Sequence, residues 1–152
     1  MESLLISACL LGANCKYSGG NNALPPETLA ALRKTYRLIP VCPEVAGGLP
    51  VPREPSERQA GRVVSRSGRD VTAEYRRGAE TALRLAERFG CRKALLKERS
   101  PSCGNGKIYD GSFSGRLVSG NGVTAELLML QKLEVFGECS APLQQRDALE
   151  VN

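Results

Sequence analysis

Short apolar segments alternate with helical segments along this chain, and this alternation limits the fold more than any other feature of the sequence. Four apolar runs are typical of short buried strands: residues 4–8, 37–41, 93–97 and 134–136. Three other segments repeat apolar residues at spacings of three and four, as helices do: residues 25–36, 72–90 and 124–132. The pattern predicts the α/β class, as a single compact domain whose short, largely parallel sheet is flanked by helices.

The length of the chain sets the domain limits. A chain of 152 residues suits one domain, and we assign residues 1–139 to it. Residues 140–152 show no periodic pattern and are expected to form a C-terminal tail. The sequence has no run of 18 or more apolar residues and no signal-peptide pattern. We therefore expect a cytoplasmic protein that does not enter a membrane.

Three of the predicted strands run directly into loops that carry cysteine. Cys9 follows the first strand, Cys42 follows the second, and Cys103 lies just past the third. The carboxyl ends of parallel strands meet at one edge of a sheet, about 5 Å apart for neighbours, and ligands bind there. We therefore expect thiols that are distant in sequence to share one site at that edge.

Histidine is absent from the sequence, whereas cysteine occurs six times. This absence excludes Ser-His-Asp and Cys-His catalysis and every zinc site that uses histidine. In a reducing cytoplasm the cysteines are not expected to form a disulfide framework, which favours metal binding or thiol chemistry. Ordinary packing and a closed four-thiolate zinc site stay open as alternatives, although the CxxC pairs that mark most structural zinc sites do not occur.

The other three cysteines carry weaker signals. Cys15 lies in the same loop as Cys9 and is a fourth candidate ligand, a sulfur acceptor or a bystander. Cys91 and Cys139 fit the pattern of small buried hydrophobic residues, and we assign them no role.

Polar residues near the loop cysteines are candidates for catalysis. Glu44 follows Cys42 in a loop rich in Pro and Gly, and it is a candidate carboxylate base, with a surface salt bridge as the alternative. Ser100 and Ser102 place hydroxyls beside Cys103, where they are able to hydrogen-bond a sulfur atom or a substrate. A turn or a helix cap is the alternative for this pair.

The charge of the chain says little about its partners. The formal net charge of +5 at pH 7 helps anionic ligands approach. Aromatic residues make up only 5% of the chain and the basic residues are spread out, so nucleic acid is a weakly supported partner. The glycine pairs match neither a phosphate-binding loop nor a dinucleotide-binding fingerprint.

Six segments spread over nearly the whole chain carry a family resemblance. They are SACLLG with Cys9, CKY with Cys15, PVCPEVAGGLPVPR with Cys42 and Glu44, DVTAEYRRGAE, LKERSPSCG with Cys103, and KIYDGSFSG. Through these segments the sequence resembles the domain-of-unknown-function family 523, which includes the iron–sulfur thiouracil desulfidases. One departure is Ser18, where relatives often have Asp, so no carboxylate role is carried over to that loop.

The resemblance implies an oxygen-labile [4Fe–4S] cluster that is held by three cysteines and has one open iron. By position, the implied ligands are Cys9, Cys42 and Cys103, with Cys15 as the remaining member of the metal-site set. Glu44 and Ser100 become the catalytic acid/base pair. The implied enzyme cleaves a C–S bond: it removes sulfur as hydrosulfide from a thiocarbonyl substrate such as thiouracil, by non-redox hydrolysis at the open iron.

The resemblance also implies partners. The expected substrate is a small thiolated nucleobase or nucleoside, and the expected protein partner is the iron–sulfur assembly machinery. Two alternative functions stay open: a cluster-dependent sulfur carrier in tRNA thiolation, and a non-catalytic metal-binding module.

Overall fold

The computed structural model describes residues 1–139, so the predicted tail at 140–152 lies outside the described residues. The strands are β1 (Glu2–Ser7), β2 (Tyr36–Val41), β3 (Ser56–Gln59), β4 (Arg62–Ser65), β5 (Lys93–Leu96), β6 (Lys107–Tyr109), β7 (Leu117–Ser119) and β8 (Glu134–Gly137). The helices are α1 (Pro26–Thr35), α2 (Pro43–Ala46), α3 (Thr72–Arg88) and α4 (Val123–Leu130), with a 3₁₀ helix at Ala8–Leu11. No helix in this part of the chain has the length and apolar composition needed to cross a bilayer.

Four strands form one parallel sheet in the order β2-β1-β5-β8. Ser7 at the end of β1 pairs with Val41 at the end of β2, and Ile6 pairs with Leu95 of β5. The three strands that precede the loop cysteines are therefore neighbours, and β1 lies between the other two. This topology confirms the predicted α/β class with a largely parallel sheet.

Helices cover both faces of the sheet because successive residues of a strand point to opposite sides. Ile6 of β1 packs in a cluster with Leu32 of α1. Its neighbour Leu5 packs in a second cluster with Ala82 of α3 and Leu128 of α4. Full burial of a Leu or Ile side chain contributes about 1.5–3 kcal/mol. These contacts hold the sheet rigid, and they thereby hold the edge from which the cysteine loops start.

Helices α2 and α3 approach each other so closely that glycine is required at the contact. A Cβ atom on Gly78 of α3 would overlap the carbonyl oxygen of Pro43, and one on Gly47 would overlap the carbonyl oxygen of Glu74. Glycine inside a helix costs about 1 kcal/mol relative to alanine, so this close approach explains its presence in the middle of α3. The contact holds the short helix that follows Cys42 against α3.

Two helix ends differ from the predicted boundaries. Tyr36, predicted as the last residue of a helix, has extended backbone (φ −127°, ψ 150°) and begins β2 instead. Helix α4 ends at Leu130, short of the predicted end, and Lys132 adopts a positive φ of 71° that a helix does not accommodate.

The sequence pattern predicts a small hairpin or an extended segment at residues 62–71, and β4 lies there, with Val64 bridged to Asp70. It does not predict the pairing of β3 with β4 or the hairpin β6-β7. The residues of β3 are polar and lack the alternation that identifies a strand. The hairpins contact each other: Gln59 Nε2 donates to the carbonyl of Gly111 (2.8 Å), whose own N–H donates to Glu57 Oε1 (2.9 Å). They add walls to the cavity described next.

Candidate active site

A cavity of about 470 Å³ opens at the carboxyl edge of the parallel sheet. The loops after β1, β2 and β5 line it, which is the usual place for a ligand site in such a fold. The six residues predicted as ligands or catalytic groups all line it: Cys9, Cys15, Cys42, Cys103, Glu44 and Ser100. The structure therefore brings together side chains that lie far apart in the sequence.

Cys9 lies in the middle of the site because β1 is the central strand of the three. It belongs to the 3₁₀ helix after β1, which ends at Gly12 with a left-handed φ of 98°. The backbone N–H of Asn22 donates to the carbonyl of Cys9 (3.0 Å) and holds the returning chain beside it. Burial raises the pKa of the Cys9 thiol, and a hydrogen bond with the Asn22 side chain offsets part of that rise. Asn22 is a site residue that the sequence does not reveal.

Cys42 and Cys15 lie beside each other on the β2 side of the cavity. The thiol of Cys42 is 3.7 Å from the carbonyl oxygen of Cys15, a weak sulfur hydrogen bond. Burial, followed by the neighbouring Cys42, raises the pKa of the Cys15 thiol to about 12. Cys15 therefore belongs to the same thiol group as Cys42 in space, and not only to the loop of Cys9 in sequence.

Cys103 is the most deeply buried of the cavity cysteines, and a tight turn holds it. The hydroxyl oxygen of Ser100 accepts hydrogen bonds from the backbone N–H groups of Ser102 (3.1 Å) and Cys103 (3.0 Å). Burial raises the pKa of the Cys103 thiol, with a further rise from the negative charge of Glu44. Ser100 thus makes the turn that the sequence left open as an alternative, while its O–H remains able to donate.

Ser102 and Ser7 complete the surroundings of Cys103. Ser102 is fully buried, and its hydroxyl lies 2.9 Å from the hydroxyl of Thr124 at the start of α4. Ser7 is buried as well, and its hydroxyl oxygen accepts the N–H of Lys97 (2.9 Å). Hydrogen bonds with Ser7 and Ser102 lower the pKa of Cys103 against the effect of burial. Ser7 lies at the end of a strand, where its sequence position gives no sign of this contact.

Glu44 is held by two donors that the sequence analysis does not identify. Arg53 Nη2 lies 3.1 Å from Glu44 Oε2, and the hydroxyl of Tyr75 lies 3.2 Å from the same oxygen. The Glu44 side chain is only 16% exposed and that of Arg53 only 6% exposed. Glu44 therefore forms a salt bridge, as the alternative predicts, but the salt bridge is mostly buried and does not lie on the surface.

The cavity thiols are spaced more widely than the ligands of a compact single-ion site. Tetrahedral zinc with Zn–S bonds of about 2.3 Å holds its ligand sulfurs roughly 4 Å apart. Within residues 1–139, one group of three ligand atoms lies mutually within 4.8 Å, and it consists of Glu98, Glu138 and Cys139. No three cavity sulfurs are that close. Thiolates from scattered loops around a larger space suit an iron–sulfur cluster.

The two cysteines without an assigned role lie outside the cavity. Cys91 is buried in the core beside α3, as predicted. Cys139 is exposed after β8, so the prediction that it is buried is wrong. Negative charge from Glu98, followed by burial, raises the pKa of the Cys139 thiol.

Comparison with known proteins agrees with this arrangement. Residues 4–140 match the family described as 2-thiouracil desulfurase. YbbK of Bacillus subtilis (strain 168), an uncharacterized protein, is 39% identical over 145 residues, which cover 89% of this chain and 95% of YbbK. The solved structure of TudS, described as a [4Fe–4S]-dependent thiouracil desulfidase, is 48% identical, with a TM-score of 0.90 and full coverage of both chains.

Proposed function

The chain belongs to the 2-thiouracil desulfurase family, and from that premise we propose that it is a [4Fe–4S]-dependent desulfidase. It removes sulfur from a thiocarbonyl compound such as thiouracil and leaves the carbonyl compound and hydrosulfide. One observation carries this proposal: thiols from three neighbouring strand ends line a cavity that also holds a partly buried carboxylate. The similarity to TudS supports it over the full length of the chain.

Cys9, Cys42 and Cys103 are the proposed cluster ligands, because each follows one of the three adjacent parallel strands. When bound through three thiolates, the cluster supplies an iron with an open position that acts as a Lewis acid toward the thiocarbonyl sulfur. Cys15 is the fourth cavity thiol and lies beside Cys42. In this proposal Cys15 is a neighbour of the ligand set and not one of the three ligands.

Glu44 is the proposed general base. Its carboxylate lies in the cavity, and within residues 1–139 the donors to it are Arg53 and Tyr75. It takes a proton from the water that attacks the thiocarbonyl carbon, the C–S bond then breaks, and the substrate oxygen comes from that water. Carbon keeps its oxidation state, so the reaction needs no external reductant or oxidant.

Ser100 is the proposed proton donor or relay. Two backbone N–H groups fix its oxygen, and its own hydrogen is available for donation into the cavity. This fixed position removes the rotational freedom that an exposed serine would have. A hydroxyl held in place at low entropic cost is a better proton relay than a mobile one.

The shape and lining of the cavity fit a small planar substrate. A volume of about 470 Å³ lies within the range of small-molecule sites. The aromatic rings of Tyr17, Tyr109 and Phe113 line the cavity, and such rings pack well against a flat heterocycle. We place the reaction in the cytoplasm, where the iron–sulfur assembly machinery would load the cluster.

An anaerobic assay of thiouracil consumption tests the proposed function. Reconstituted protein should contain close to four iron and four sulfide per chain, and it should convert 2-thiouracil to uracil with release of one sulfide. Glu44→Gln should lower the rate by about 10²–10⁴-fold, the usual contribution of a general base, while its iron content stays the same. Iron and sulfide determination together with loss of thiouracil absorbance measure both quantities.

Glu126→Gln is the matched control, because Glu126 pairs with Arg58 (2.8 Å) and does not line the cavity. It should leave turnover unchanged. Reconstituted protein that holds iron but consumes no thiouracil would contradict the proposal. Sulfur insertion into tRNA in place of thiouracil consumption would instead indicate the sulfur-carrier function.

A further inference from the structure

We infer that Arg53 and Tyr75 are positioning residues that fix one oxygen of Glu44 and leave the other oxygen for the attacking water. This inference rests on the proposed function of the site. Both donors converge on Oε2, from Arg53 at 3.1 Å and from Tyr75 at 3.2 Å.

The second oxygen of Glu44 is left accessible by this arrangement. Within residues 1–139, Oε1 accepts no hydrogen bond, and it is not among the buried side-chain atoms that lack a partner. It therefore keeps some exposure, and Glu44 lines the cavity. A carboxylate with one oxygen locked and one accessible has a defined direction for accepting a proton.

Arg53 connects Glu44 to the loop that carries Cys15. The same Nη2 atom that pairs with Glu44 also donates to the carbonyl of Cys15 (2.9 Å), and Nη1 donates to the carbonyl of Pro50 (3.1 Å). The backbone N–H of Arg53 donates to the carbonyl of Tyr17 (2.8 Å). One guanidinium therefore sets the position of the base relative to a thiol-bearing loop.

The burial of Arg53 is costly for stability alone. Its side chain is 6% exposed, and its Nε is buried without a hydrogen-bond partner in the described part of the chain. Burying a cation with an unsatisfied N–H is unfavourable, and apolar replacements of buried ion pairs are often neutral or stabilising. We therefore assign the buried Arg53 to the orientation of Glu44 and not to stability.

Tyr75 reaches Glu44 from helix α3, because α2 and α3 pack closely. It lies one turn before Gly78, whose missing side chain allows the carbonyl of Pro43 to approach α3. Tyr75 is 2% exposed and packs with Val63 and Val71. Burial raises its pKa, so the hydroxyl stays protonated and acts as a donor to the carboxylate.

Two variants with matched controls test this inference. Tyr75→Phe removes one oxygen atom and keeps the ring, and Arg53→Met keeps an unbranched chain without the charge. The controls are Tyr36→Phe, a buried tyrosine at the opposite end of the sheet, and Arg58→Met, which removes an ion pair outside the cavity. Each variant is reconstituted anaerobically, and its iron and sulfide content, thermal unfolding, kcat and KM are measured.

Positioning through Glu44 predicts a specific set of results. Both variants should keep the iron and sulfide content of the wild type, while kcat falls by roughly 10–100-fold, the usual effect of losing an outer-shell partner. KM should change by less than about twofold, because neither residue binds the substrate in this assignment. In a Glu44→Gln background, Tyr75→Phe should lower kcat by less than about twofold further, since residues that act through one group are not additive.

Three results would overturn the inference. These are an unchanged kcat in both variants, iron loss in parallel with activity, and full additivity with Glu44→Gln. If Arg53→Met fails to fold, Tyr75→Phe and the double variant still decide the matter. Cluster-loaded wild-type protein that releases no sulfide would contradict the proposed function and this inference together, whereas active wild type with unaffected variants contradicts the inference alone.

Discussion

Two groups of side chains that are able to bind metal lie at the carboxyl edge of the sheet. They differ in how far their ligand atoms are already engaged in hydrogen bonds and ion pairs. The acidic group consists of Glu98, Glu138 and Cys139, whose ligand atoms lie within 4.8 Å of one another. Lys97 Nζ pairs with Glu138 Oε1 (3.1 Å), and the N–H of Glu98 donates to the same carboxylate (2.9 Å). The N–H of Cys139 lies 3.3 Å from Glu98 Oε1. The chain's own donors therefore occupy both carboxylates.

The cavity group consists of the thiols of Cys9, Cys15, Cys42 and Cys103. These ligand atoms are more widely spaced, but they form weaker hydrogen bonds with the rest of the chain. Its thiols make only weak sulfur hydrogen bonds, such as the 3.7 Å contact from Cys42 to the carbonyl of Cys15. Burial raises the pKa of the thiols of Cys9 and Cys103, and a bound metal cluster reverses this by deprotonating its ligands. The comparison favours the cavity group as the proposed metal site, although the ligand atoms of the acidic group lie closer together. The ligand atoms of the cavity group are sulfur, and within the described residues they are free of the strong hydrogen bonds and ion pairs that engage the two carboxylates.

Replacement of the proposed ligands should give the largest contrast between the two groups. Cys9→Ser, Cys42→Ser and Cys103→Ser should each lose most of the iron and all measurable turnover, because a cluster with two thiolate ligands is not retained. Cys15→Ser should keep most of its iron. Cys139→Ser, in the acidic group, should match the wild type. Anaerobic iron and sulfide determination on the five variants measures this, and iron retention by Cys9→Ser would remove the central strand from the site.

A smaller effect is expected where helices α2 and α3 support the cavity group. Gly78→Ala introduces a Cβ that overlaps the carbonyl of Pro43, and overpacking of this kind destabilises by about 1–3 kcal/mol. The melting temperature of the metal-free protein should fall, and cluster loading should fall with it. Gly61→Ala is the control, since a Cβ there meets no atom within 4 Å. Equal melting temperatures for the two variants would show that the α2–α3 contact does not support the site.

The smallest effect is expected in the acidic group. Glu138→Gln removes the charge that pairs with Lys97, whose side chain is 30% exposed, and partly exposed pairs contribute about 0–1 kcal/mol. Iron content and turnover should not change. Thermal unfolding and iron determination check this. Iron loss in this variant would show that the cluster lies at the acidic group and not at the cavity group.

The fold and part of the site are predictable from local pattern. The runs at 4–8, 37–41 and 93–97 predict β1, β2 and β5, because the periodicity of apolar residues reports which face of an element is buried. Cysteines that follow parallel strands predict a shared site, because the carboxyl ends of parallel strands meet at one edge of a sheet. The assignment of Cys9, Cys42 and Cys103 as the ligand set stays a prediction that the variants above test.

The pairing of β3 with β4, the hairpin β6-β7 and the surroundings of the thiols are not predictable in this way. The polar residues of β3 have no strand pattern, since their pairing depends on the neighbouring strand β4 and not on a buried face. Asn22 and Ser7 become neighbours of cysteine only when loops close over the sheet edge. No spacing in the sequence records these contacts.

Residue order and type were enough to specify an α/β domain, to exclude histidine chemistry and to mark the strand ends as the place where thiols gather. Periodicity and composition are properties of the sequence, and they can be determined without knowledge of the packing. The three-dimensional packing alone brought Arg53 and Tyr75 to one oxygen of Glu44, across 9 and 31 positions of the chain. The Tyr75 contact depends on the backbones of α2 and α3 approaching each other where Gly78 has no Cβ, and such an approach is a property of the folded core.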